Sequence, residues 1–184
     1  DWKVGSSTYT IWTNRSSSVI ASDLIKEEIR LWSKDVLERP SANFEQMPPC
    51  PYAQKAWKND KVKIHVTNDL TLAVDIKRNN PPKGEEVEVI AWTGWEDMDV
   101  QEFDNWIDSQ NEKHNGTWII GFHPNHPEDE NINEFEGNGA PEYGMILVQS
   151  LSHLAESSEK ILKKGYYKKY SEEDMNHVKW RNLL

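Results

Sequence analysis

Residues 117–130 read Thr117-Trp118-Ile119-Ile120-Gly121-Phe122-His123-Pro124-Asn125-His126-Pro127-Glu128-Asp129-Glu130. An apolar, β-branched run stops abruptly at two histidines, two prolines and three acids. The run predicts a buried strand, and the proline-stiffened polar segment predicts a loop delivered to a surface. Just upstream, Asp97 to His114 carries Val100, Phe103, Trp106 and Ile107 at helical spacing. Asp97 or Asp99 suits the helix start, and Asn115-Gly116 its left-handed stop. Val87 to Trp92, apolar and β-branched, predicts a strand before this helix. Strand, helix and strand make a βαβ-like unit.

Toward the N-terminus, Ile25, Ile29, Trp32 and Val36 place one apolar stripe on a helix from Asp23 to Glu38, ended by Pro40. The Ser/Thr-rich residues before it read as an arm, with a short strand at Tyr9 to Thr13. A second, short helix is expected from Tyr52 to Asn59, with Pro51 in its first turn. Lys61 to Val66 and Thr71 to Ile76 read as strands joined by a turn at Asn68-Asp69. His65 falls on the polar face of the first and is expected to be solvated. Downstream, Glu128 to Glu142 reads as a long surface loop. A strand at Tyr143 to Val148 and a helix from Leu151 to Lys164 follow, and Ser171 with Asp174 starts a last helix. The expectation is a single α+β domain over residues 1–184, with residues 1–22 as an N-terminal arm and 166–184 as a C-terminal tail. Its core is a mostly antiparallel sheet of about five strands with helices packed on one face, ferredoxin-like or a permuted variant.

The 184 residues carry a net charge of −10 and include nine Trp and one Cys. A surface of that charge repels duplex nucleic acid and anionic membranes, so neither is an expected partner. One cysteine allows no intramolecular disulfide, which points to a reducing, cytoplasmic setting. No apolar run approaches the length that crosses a bilayer. A small-molecule ligand is compatible with that charge, and oligomeric state is open.

Three constellations can carry chemistry. His123 and His126, with Glu128 and Glu130 close behind, offer the imidazole and carboxylate ligands that zinc or a facial-triad iron requires. Glu128 then serves as ligand or general base in a hydrolase- or oxygenase-type reaction. The alternative is a rigid, solvated loop in which His123 bonds the backbone. Cys50, among Pro48, Pro49 and Pro51, stands at the start of the short helix, where an anion is stabilised and a thiol pKa is lowered. If its loop meets the His123 loop, thiol and imidazole form a nucleophile pair. The alternative is a small buried hydrophobe. Third, Tyr52, Trp95 and Tyr143 are candidates to line a ligand pocket. No phosphate-binding glycine loop is present: Gly137-Asn138-Gly139 is too short and has no strand-to-helix context. Lys163 to Tyr170 interleaves basic and aromatic residues and reads as balance for a helix C-terminus.

Pro49-Cys50-Pro51-Tyr52-Ala53, followed much later by Gly121-Phe122-His123-Pro124, resembles a family of small uncharacterised bacterial proteins. Those carry a Cys-Pro-Phe-Ala segment early and a Phe-His-Pro segment after a strand. Tyr52 replaces Phe here, and an Asn-Arg-Ser-Pro segment of the family has no counterpart between Glu128 and Leu151. The resemblance spans residues 27–162 but rests on two short motifs. It implies that Cys50 and His123 share a site, and nothing about substrate. Two functions follow: an enzyme with its site between the Cys50 loop and the His123–Glu130 loop, metal-assisted in its sharper form, or a non-enzymatic module binding ligand or protein through aromatic rings and the acidic loop.

Overall fold

The structure, a computed structural model, describes residues 14–126 and 142–184. The strand expected at Tyr9 to Thr13 and the acids Glu128, Asp129 and Glu130 lie outside the described residues.

Four strands, β1 (Val62–Thr67), β2 (Val87–Trp92), β3 (Thr117–Phe122) and β4 (Gly144–Ser150), form one sheet in the order β1-β2-β4-β3. The helices are α1 (Asn14–Trp32), α2 (Ala53–Lys58), α3 (Thr71–Asn79), α4 (Val100–Glu112), α5 (Leu151–Leu162) and α6 (Glu172–Leu183). None of the described helices is long and apolar enough to cross a membrane. β1 and β2 run parallel, with Ile64 opposite Val89. β4 is antiparallel to both β2 and β3, pairing Ile90 with Ile146 and Ile120 with Leu147. The chain is therefore α+β, as its pattern predicts, but the sheet is mixed and has four strands among the described residues where about five are expected. Two of its three strand pairings are antiparallel, as expected, and β1 with β2 is the parallel exception.

The missing strand is α3. Thr71, Val74 and Ile76 are β-branched and read as strand, yet Ala73, Ile76 and Lys77 repeat at three and four residues and are buried together. Asp69 Oδ1 accepts the amide of Thr71 at 2.9 Å and starts the helix. A helix between β1 and β2 is the crossover that a parallel pair requires; a tight turn cannot supply it.

Helices cover both faces rather than one. Leu70, Ala73 and Ile76 of the α3 segment, with Phe103 of α4, pack on Ile90, Trp92, Ile119, Ile146 and Val148. Ile29, Trp32 and Val36 pack on Val89, Ala91 and Met145 across the opposite face. The cause lies in β2, which is apolar at successive positions and so exposes an apolar surface on both sides. Each fully buried Ile or Val there contributes roughly 1.5–3 kcal/mol. Gly121 marks the closest approach: a Cβ there would lie 2.6 Å from the Phe103 ring.

The stripe Ile25, Ile29, Trp32 and Val36 faces the core as predicted. The helix reaches back at least to Asn14, well before Asp23, since no Gly or Pro interrupts residues 14–32. Ser22 and Asp23 therefore sit inside it and cap nothing. Its end widens into a π-turn, Ser33–Leu37, closed by the amide of Glu38 donating to Ser33 O at 2.9 Å. Two helix starts are capped as read: Asp99 with Glu102 forms a full capping box on α4, and Ser171 accepts the amide of Asp174 on α6. Asn115 and Gly116 both take the positive φ that stops α4.

Candidate functional site

His123 is 1% exposed. Its Nε2–H donates to Met98 O at 2.8 Å, and its Nδ1 accepts the amide of Asn125 at 3.2 Å. The rings of Trp95 and Phe103 lie 5.6 and 5.5 Å from it. Both nitrogens are engaged, so this is a neutral imidazole serving the core. It bonds the backbone, as the alternative reading has it, but buried rather than solvated. His126 Nε2 stands 3.6 Å from Asp104 Oδ2, and its buried Nδ1 has no partner among the described residues. Glu128 and Glu130 are outside the described residues. No group of three or more His, Cys, Asp or Glu that could hold a metal occurs among the described residues.

Cys50 lies elsewhere. It lines a cavity of about 100 Å³ with Val62, Val87 and Gln149, at the N-terminal ends of β1 and β2 and the C-terminal end of β4. His123 follows the C-terminal end of β3, against the face that carries α4. The two are separated by a strand's length, about 17 Å, and by the sheet itself. The structure does not bring Cys50 and His123 together, because their loops leave opposite ends of the sheet.

The cavity is bounded by Trp32 at the end of α1, by Ala53, Ala56 and Trp57 of α2, and by Val89 and Leu147 of the sheet. The π-turn shapes its wall. Trp57 Nε1 donates to Ser33 Oγ at 2.8 Å, Ser33 Oγ donates to Glu38 Oε1 at 2.8 Å, and Arg30 pairs with the same oxygen at 2.5 Å. The Arg30 guanidinium also covers the Trp57 ring at 4.7 Å. The amide of Cys50 donates to Leu37 O at 2.9 Å and ties the proline-rich loop to the π-turn. Burial pushes the Cys50 thiol above its ordinary pKa, with the Glu38 carboxylate adding to the rise and the amides of Tyr52 and Ala53 opposing it. The lowered pKa expected at a helix start is thus reversed. α2 has six residues, too few for a strong dipole, and loss of water outweighs it.

Of the residues expected to line a pocket, only Tyr52 lines this cavity, its hydroxyl 3.4 Å from Ser157 O. Trp95 packs on His123, while Tyr143 donates to Glu28 Oε2 at 3.1 Å under α1. Burial raises the Tyr143 pKa. His65 is not simply solvated: its Nε2 meets Oε2 of buried Glu88 at 2.5 Å. The tyrosines of the basic-aromatic run pack together, Tyr167 and Tyr170 at 4.8 Å, and the Tyr166 hydroxyl donates to Pro49 O. Burial pushes the Tyr170 pKa up to about 12. Sequence reasoning missed His153, Gln149 and Trp57 as wall residues. The available signal was spacing: Gln149, His153 and Ser157 recur every four residues across the β4–α5 junction.

No family model, curated protein or solved structure matches the chain.

Proposed function

We propose that the protein is a small-molecule-binding module whose site is the cavity beside Cys50. The observation that carries this is an apolar hollow of about 100 Å³ held open by a satisfied polar network at the π-turn. An engineered cavity of about 150 Å³ accepts benzene. The hollow here suits a somewhat smaller apolar group, a branched alkyl chain of about four carbons. The metal-assisted enzyme reading loses ground because both nitrogens of His123 are engaged. The likeness to the small bacterial family stays within the proposal: its early motif would serve the cavity and its later one the core.

A thiol reaction is the second reading, and one observation favours it: Cys50 and His153 line the same cavity. The raised thiol pKa weighs against it.

Xenon titration followed by methyl NMR tests the binding reading. Methyls of Ala53, Ala56 and Leu147 should shift in a saturable way, while those of Ile90 and Val148 on the other face stay still. Equal, linear drift at all of them would sink it.

A further inference from the structure

Two pairs of longer polar side chains around the cavity differ in how they are held. Glu85 accepts from Asn59 Nδ2 at 3.0 Å and pairs with Lys55 Nζ at 3.6 Å. Glu86 Oε2 accepts the amide of Lys83 at 3.0 Å. Both acids are committed. Gln149 and His153, by contrast, line the cavity with no side-chain hydrogen bond among the described residues; the His153 ring meets only the edge of Tyr52 at 6.3 Å. Gln149 follows Leu147 by two on β4, so it shares the cavity face. His153 is in the first turn of α5, whose cap holds the start of the helix rigid through Ser150. Two half-buried polar side chains therefore stand beside an apolar hollow without hydrogen-bond partners among the described residues.

Resting on the cavity reading, we propose that Gln149 and His153 bind the uncharged polar head of the ligand, an alcohol or a primary amide on a short branched chain. The carboxamide of Gln149 offers donors and an acceptor, and a neutral imidazole offers one of each. An alcohol or amide satisfies both kinds at once. A carboxylate head would approach the negative Glu85 and Glu86. An ammonium head would have to displace the contacts that hold these acids, or give up its water in an apolar hollow.

The test uses the full chain and four ligands of one shape: isopentanol, isovaleramide, isopentylamine and isovalerate. Affinities come from methyl NMR, beside the xenon titration. The alcohol and amide should bind at least about tenfold tighter than either ion. Gln149→Leu and His153→Leu should each weaken the alcohol by about five- to tenfold relative to xenon, the ratio of the two affinities in each variant being the readout. Gln149→Glu should turn the preference toward isopentylamine, a change that a merely structural glutamine would not produce. The head-group assignment is overturned if an ion binds as well as the alcohol, if neither leucine variant weakens the alcohol, or if xenon binds and none of the four ligands does. Failure of xenon together with all four ligands would overturn the cavity reading itself.

Discussion

Lys77 shows how one residue can carry a charge into the core. It is 4% exposed, and its ammonium donates to the carbonyls of Gln110 and Lys113 at the end of α4. Those carbonyls have no partner within their own helix, so the pairing serves both elements. Burial lowers the Lys77 pKa from 10.5 to about 8. The unfolded chain then holds more protons than the folded one between those values, and the contribution of Lys77 to stability rises with pH across that window. Cys50 acts in the opposite sense: its raised pKa means that stability falls as pH passes the ordinary thiol value of 9.0. Comparing wild type with Lys77→Met by urea unfolding separates the two. Wild type should gain on the variant by about 1–2 kcal/mol between pH 7 and 10.5, solvent screening taking part of the full effect. A flat difference would show that the ammonium is not desolvated. His123 teaches a related lesson. Its position after a strand was legible, but whether its nitrogens meet a metal or Met98 O depends on a backbone 25 residues away.

Among elements, β3 is an edge strand whose open side is closed by a side chain. Asn111 Nδ2 donates to Ile119 O at 2.9 Å, and Ile119 N donates to Asn111 Oδ1 at 2.8 Å. The carboxamide thereby takes the place of a neighbouring strand. Asn111→Ala would leave a buried N–H and C=O unpaired, at about 3 kcal/mol. Urea unfolding measures this, and a loss under about 1 kcal/mol would mean that water replaces the amide. The α3 segment marks the limit of pattern reading. A six-residue run with three β-branched residues satisfies strand and helix templates alike, and the choice falls to the parallel pairing of the strands on either side. The π-turn was equally hidden, because an i→i+5 bond has no composition of its own.

For the whole molecule, the C-terminal helix completes the cover of β3. Trp180 of α6 meets Trp118 edge-on at 5.2 Å, and Arg181 donates to Ser158 Oγ on α5. Trp118 is 6% exposed with this cover in place. Removing residues 172–184 should red-shift the tryptophan emission and lower Tm by about 5–10 °C. Xenon binding should persist, since the cavity walls include no residue of α6. Unchanged emission would mean that Trp118 is shielded by something other than α6.

From its sequence alone this chain specifies its α+β class, its β2–α4–β3 unit, the stripe of α1 and the caps of α4 and α6. Each is a local property, set by side-chain period, cap chemistry or the φ preference of a glycine, and local properties are written in neighbouring residues. Strand order, the cover of both sheet faces and the separation of Cys50 from His123 were decided only by tertiary structure. Two loops with unusual residues look alike in sequence whichever end of a sheet they leave. Their distance depends on strand direction and pairing, and those depend on which apolar faces meet across the whole chain.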